Sequence, residues 1–331
     1  MKKIIGVLLV FALIFSSCKK AEDKPLKRSN KEKINKTNGL KKIKSKETNG
    51  NEIEFSKKPE IGETTNEKIK LKYKFKKGVK KNIVELSKIT IRYNGRLIFI
   101  DTYTYGYYKI TEKLKDSYML EWEINRLKIK MKMNVNGKEE NVFYDSATGK
   151  ESKMISSKVL KNMLNTVISA EVDSYGHFKD TDFRNLIKSI EESSLVSKVR
   201  KNILQKAKQF IENTHIVLPE KEVKEGDEYQ GRKGVQDFSM IELKNSRKYK
   251  VKAVSKDKKF AVLKVFLDFE TGKNNTKQKI EIKKKKSKGW ILFNIEKGLL
   301  EESYLHTRLS MKVNDIEMKL DMKSNFKVLD K

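Results

Sequence analysis

The chain has 331 residues, of which 37% are hydrophobic, enough to build a real core and to exclude a wholly disordered protein. Lys plus Arg is 75 against 44 Asp plus Glu, a formal charge of +31, and the single Cys excludes an intrachain disulfide, a CxxC redox pair and a cysteine zinc site. The basic set is 66 Lys and 9 Arg. Phosphate-reading surfaces favour the planar fork of Arg, so this balance, with only 3 Pro, reads first as compositional bias and second as a polyanion or anionic-lipid surface. No HExxH, GxSxG, GxxxxGK[ST], GxGxxG or DxDxDG motif occurs, and His177, His215 and His306 share no ligand spacing. No cofactor, metal, catalytic group or specific nucleic-acid partner is expected.

At the N-terminus Met1-Lys2-Lys3 precedes an apolar run from Ile4 to Phe15, too short for the roughly 20 residues a bilayer span needs and suited to a signal-peptide core. Phe15-Ser16-Ser17-Cys18 follows. This stretch resembles the lipobox of bacterial lipoproteins, with Phe15 where Leu is usual. The resemblance implies cleavage between Ser17 and Cys18, acylation of Cys18 (palmitate among the chains), and a lipid-anchored place on the periplasmic or cell-surface face of a membrane. Two or more acyl chains anchor a protein stably.

Residues 18–66 form the next section. They are rich in Lys, Asn, Glu, Thr and Ser, hold one aromatic residue, Phe55, and follow neither helix nor strand period. Such a segment cannot offset its ordering entropy by apolar burial, and it reads as a disordered, lipidated tether whose Lys residues favour anionic headgroups.

From Lys68 alternation begins. Ile69, Leu71, Tyr73 and Phe75 alternate with Lys, the period of a strand with one wet face. Ile89, Ile91 and Tyr93 repeat it before Asn94-Gly95, a hairpin dipeptide in which both positions tolerate positive φ. Strands are predicted over 96–108, 118–135 and 142–145, with a second hairpin at Asn136-Gly137. Residues 151–217 read as a helical section of about three helices, on apolar stripes at 155–164, 183–190 and 195–211, interrupted by a strand at 167–173. Alternation returns after Pro219, with seven strands between 238 and 328. Strands before and after helices, without βαβ alternation, give an α+β domain over 67–331 (strand blocks 67–150 and 218–331). Its antiparallel sheet curves into a half-barrel or open barrel, with the helices on the concave face.

Three motifs carry a second resemblance: Phe143-Tyr144-Asp145-Ser146, Glu171 to Phe178 (EVDSYGHF), and Leu218 to Tyr229 (LPEKEVKEGDEY). Together they resemble a family of uncharacterised bacterial envelope lipoproteins known only as a domain of unknown function, with Phe178 and Tyr229 in place of its usual Val and Trp. The resemblance implies no activity. Physically these are turn residues: Pro219 fixes an extended connection, while Gly176, Gly226 and Asp227 suit tight turns.

Tyr103, Tyr105 and Trp122 form the candidate ligand face. Glu301, Glu302 and Asp173 are candidate acids better suited to salt bridges, and Lys283 to Lys288 is a candidate basic hairpin tip. The function these readings favour is a non-enzymatic, lipid-anchored envelope protein holding a hydrophobic ligand or lipid amphiphile against the concave sheet. The alternative is a surface-exposed adhesin that binds polyanions through Lys patches.

Overall fold

The computed structural model describes residues 55, 57–135, 138–151, 164–191, 204, 207–208, 210–237, 242–272 and 279–329. Cys18, Ser17, most of the expected tether, the Asn136-Gly137 turn and the apolar stripe from 155 to 163 lie outside these residues.

Thirteen strands form one antiparallel sheet: β1 (Lys80–Tyr93), β2 (Arg96–Lys113), β3 (Ser117–Val135), β4 (Lys138–Asp145), β5 (Lys150–Glu151), β6 (Val167–Asp173), β7 (Phe178–Asp182), β8 (Glu228–Asp237), β9 (Glu242–Val254), β10 (Phe260–Thr271), β11 (Ile280–Asn294), β12 (Leu299–Val313) and β13 (Ile316–Leu329). Their order is β5-β4-β3-β2-β1-β13-β12-β11-β10-β9-β8, so the chain closes its centre by pairing β1 with the last strand. β3 is long enough to serve two neighbours. Its Ser117–Glu123 half pairs β6, which pairs β7, and its Lys128–Val135 half pairs β4. The Asn94-Gly95 turn has φ of 48° and 72°, and Asn314-Asp315 has 49° and 68°, the paired positive values of type I′ hairpins.

The α+β expectation with a three-helix insertion is overturned. The protein is predominantly antiparallel β, and the described residues carry only two short helical stretches: α1 (Arg184–Glu191) and residues 207–208 and 210–214. Leu164, assigned to a helical stripe, instead forms a bridge with Ile124. The rest of that stripe, 155–163, lies outside the described residues. The open, curved sheet itself was anticipated. Among the described residues, the helical side chains Leu186, Ala207, Phe210 and Ile211 pack into one apolar cluster.

Register fixes which face each residue takes. On β1, Ile83, Glu85, Ser87, Ile89 and Ile91 point inward, opposite Val328, Phe326, Ser324, Met322 and Leu320 of β13 and Gly106, Thr104, Thr102, Ile100 and Ile98 of β2. Inside lie two apolar clusters. The first gathers Tyr73, Phe75, Tyr108, Trp122, Phe210, Tyr249, Phe293 and Phe326, with aliphatic neighbours. The second is built from Ile98, Ile129, Met131, Met133, Leu309, Met311, Met318 and others from facing parts of the sheet. Between them runs a polar waist that includes Glu85, Ser87, Thr102, Thr104, Ser324, Thr307 and Ser287 on five adjacent strands.

The alternating stretch 69–75 is not a ladder strand. Ile69 bridges Val223, the Tyr73 amide donates to Ser174 O and the Lys74 amide to Gly298 O, so this segment crosses the end of the first cluster and plugs it with Leu71, Tyr73 and Phe75. Just upstream, the Thr65 amide donates to Val254 O and the Lys256 amide to Glu63 O, so residues 63–65, placed in the tether by composition, are paired to the domain.

Candidate functional site: the seam between the sheet's two edges

The proposed ligand face does not form one surface. Trp122 pairs with Tyr108 and points inward, where its Nε1 donates to Thr214 Oγ1 at 3.0 Å. Tyr103 and Tyr105 oppose Lys128 and Arg126 and point outward. Tyr103 belongs to an outward row that reads across adjacent strands as Trp290, Tyr304, Asn325, Leu86, Tyr103 and Lys128. The concave face is filled. A cavity of about 40 Å³ remains beside the waist, bordered by Glu85, Asn213, Arg247 and Ser303, which is room for water but not for an amphiphile. There Asn213 donates to Glu85 Oε1 at 2.8 Å and accepts from Arg247 Nη2 at 3.1 Å, tying β1 to β9 through the second helix.

His215 is the inward histidine. It lies within 5.0–6.5 Å, centroid to centroid, of the rings of Tyr73, Phe75, Tyr108, Trp122 and Phe178. Its Nδ1 is 2.7 Å from Thr214 Oγ1. Burial, and secondarily the charge of Arg232, hold its pKa down to about 3, so it is a neutral packing group at pH 7. Each of the other histidines has its own carboxylate: His177 Nδ1 is 2.9 Å from Asp173 Oδ2, and His306 Nε2 is 2.9 Å from Asp321 Oδ1. Among the described residues no group of three or more His, Cys, Asp or Glu could hold a metal.

The motif carboxylates build turns. Asp173 Oδ1 accepts the amides of Tyr175 and His177 at 2.8 and 3.0 Å. Burial pushes its pKa up, but those bonds and the His177 ring outweigh burial and leave it lowered. Asp227 accepts the Lys224 amide at 2.9 Å, beside Gly226 at φ +93°. Asp145 accepts the Ala147 amide at 3.0 Å and pairs Arg126. Glu301 accepts from Asn294 at 2.8 Å. Lys283 to Lys288 is not a hairpin tip. It lies within β11, where Lys284, Lys286 and Lys288 face outward.

A larger cleft, about 570 Å³, lies where the sheet fails to close. One wall is the start of β7 with Phe178, Lys179 and Thr181; the other is β8 with Gln230 to Lys233; Lys208, Ile211 and Glu212 of the second helix form its floor, and Phe183 its rim. Arg232 spans the seam. Its Nη2 donates to Gly176 O at 3.1 Å, its Nη1 lies 3.6 Å from Glu212 Oε1, and its guanidinium sits 4.5 Å from the Phe178 ring centroid. Burial lowers its pKa, yet an arginine remains charged at any ordinary pH. The register of β8 against β9 breaks between Gln230 and Lys233. A bulge of this kind re-aims a side chain. Gly231 is required there, since a Cβ would run into the Tyr249 ring. Lys179 pairs with Glu171 at 3.2 Å. Lys208 and Lys233 make no ion pair among the described residues, so the cleft has a cationic excess over Asp180 and Glu212. Sequence reasoning missed this site. Its one signal was Gly231-Arg232, a glycine inside a strand beside one of only 9 Arg.

No family model and no curated protein matches the chain. Among solved structures it is similar to lipovitellin, in a structure of lipid–protein interactions, at 8% identity and TM-score 0.48 over 78% of this chain and 26% of that one. It is also similar to an outer membrane channel from Pseudomonas putida, at 6% identity and TM-score 0.24 over 78% of this chain and 97% of that one. A DUF1329 family protein from Desulfovibrio piger is similar at 8% identity and TM-score 0.14, over 73% and 83%. The chain thus spans about a quarter of the lipovitellin chain it matches.

Proposed function

We propose that this chain is a non-enzymatic, lipid-anchored envelope protein that binds an anionic amphiphile in the seam between β7 and β8. The observation that carries this reading is the cleft of about 570 Å³ in which Phe178, Phe183 and Ile211 supply an apolar wall and Arg232, Lys208 and Lys233 supply positive charge. Concave sites with apolar walls and a few convergent polar groups are the usual form of ligand pockets. This reading takes the seam over the concave face, because side chains of both apolar clusters pack on the concave face.

Titration of the full chain with a fluorescent anionic fatty acid tests the site. Saturable binding is expected, weakened roughly tenfold in a Lys208→Glu/Lys233→Glu variant, since charge-assisted contacts contribute about 1.5–3 kcal/mol each when formed. Undiminished binding in that variant places the ligand elsewhere. Anchoring is tested separately: Cys18→Ala should shift the protein from the detergent phase to the aqueous phase, and a variant that stays with detergent refutes the lipid anchor. Among the described residues no helix is long and apolar enough to cross a membrane.

The polyanion reading keeps one specific observation in its favour. Lys288, His306, Lys323 and Lys88 lie in one outward row on β11, β12, β13 and β1, three of them lysines. If this row is the binding surface, heparin affinity should fall steeply with salt and should drop in Lys288→Glu/Lys323→Glu.

A further inference from the structure

Resting on the seam as the binding site, we infer that its occupant is an extended acidic peptide that adds as a strand between β7 and β8. The cleft differs from an ordinary pocket in what its walls are made of. Both are terminal strands: among the described residues β7 pairs only with β6 and β8 only with β9. A terminal strand carries a row of backbone N–H and C=O groups on its outer side, and such groups require partners once water is excluded. A fatty acid bound there through its carboxylate and the apolar wall leaves those backbone groups without protein partners. A peptide strand returns one to each, which is the energetic basis of strand addition. On β7 the Thr181 amide is held at 2.8 Å by the carboxylate of its neighbour Asp180, a local contact that an incoming carbonyl can replace.

The charges on these edges decide which strand can enter. Lys179 and Lys233 flank the seam from the two walls, Lys208 lies below and Arg232 reaches across it. Edge lysines and the bulge at Gly231-Arg232 oppose pairing with a second copy of this strongly basic chain. They favour a guest with carboxylates on one face. Phe178, Phe183 and Ile211 offer apolar contact to its alternate side chains, as period 2 requires. β7 has 5 residues, which sets the length of guest the seam engages on that wall.

The test uses the full chain and labelled hexapeptides alternating Glu with Val, Leu or Phe. Three comparisons accompany them: the same peptides N-methylated at alternate amides, peptides with Lys in place of Glu, and oleate. Binding of the acidic peptides is expected to weaken at least tenfold on N-methylation, which leaves every side chain in place, and at least tenfold on Glu-to-Lys exchange. Amide hydrogen exchange should slow in β7 and β8 on peptide binding. Peptide binding indifferent to N-methylation overturns strand addition. Oleate binding without peptide binding also overturns it, while leaving the seam as a site for an anionic amphiphile. Binding of neither ligand overturns both readings. Lys208→Glu/Lys233→Glu, which changes no backbone partner, should lose the peptide, and unchanged peptide affinity in that variant removes the peptide from the seam.

Discussion

The two ends of the curled sheet solve the same burial problem with different chemistry. The end around Trp122 and His215 is aromatic, contains hydrogen-bonding groups, and is closed by chain from outside the ladder: the 69–75 plug and the 215–218 connection. There the Tyr73 hydroxyl donates to Ile216 O and accepts the Ile216 amide, and Thr214 Oγ1 joins Trp122, His215 and Ile211. The opposite end has Met131, Met133, Met311 and Met318 among Ile and Leu from facing parts of the sheet. Aromatic rings with fixed polar partners admit few arrangements, whereas unbranched thioether side chains adapt to irregular gaps. The seam opens beside the aromatic end. Its Phe178 is packed 6.0 Å from Trp122, so the site is held by the stiffer of the two cores.

Four measurements break or sharpen this contrast. The largest effect is expected from Trp122→Ala, which removes a fully buried ring and orphans the Thr214 contact; it should cost about 3–5 kcal/mol in denaturant unfolding. A loss below about 1 kcal/mol would show that the aromatic end is not tightly packed.

Next is pH. The folded pKa of His215, about 3, lies below the unfolded value. The unfolded chain therefore binds a proton that the folded chain refuses. Stability is full above about pH 6.5 and falls by up to about 1.4 kcal/mol per pH unit as pH drops toward 3. His215→Phe should flatten the unfolding free energy between pH 6.5 and 4.5, a window above most carboxylate titration. An unchanged slope would assign the acid sensitivity to other groups.

Asn213→Ala should have an intermediate effect of about 1–3 kcal/mol, because it strips partners from two charged groups at the waist. It should also raise hydrogen exchange in β1 and β9, the strands that Asn213 links. The smallest effect is expected at the methionine end. Met311→Leu conserves volume and should cost less than about 1.5 kcal/mol by the same unfolding measurement. A larger cost would show that this end is as exacting as the other and would remove the contrast.

Much of the sheet was legible in the chain. Hairpin dipeptides and period-2 alternation located β1, β2, β3, β6, β9, β10, β12 and β13, because a strand with one wet face writes its geometry into every second residue, but they split β11 into two strands around a lysine tip. The same signal misled at 69–75, where alternation records burial against a core and not membership of a ladder. At Tyr103, Tyr105 and Trp122 it failed more instructively. The register shifts between Tyr105 and Gly106, where β2 meets β3, and between Ile110 and Glu112. Which aromatic faces inward depends on cross-strand pairing, and a one-residue change of phase moves a side chain to the other face.

The sequence by itself determined the antiparallel ladder, its tight turns, and the turn roles of Gly176, Gly226 and Asp227, because φ preference and side-chain alternation are local properties. Only the tertiary structure decided the rest: that the last strand pairs with the first, that the inside is two cores with a polar waist, and that β7 and β8 end the sheet facing one another across a charged seam. Those features depend on the curvature and closure of thirteen strands. Curvature sums small twists over the whole sheet, and no short stretch of sequence carries that sum.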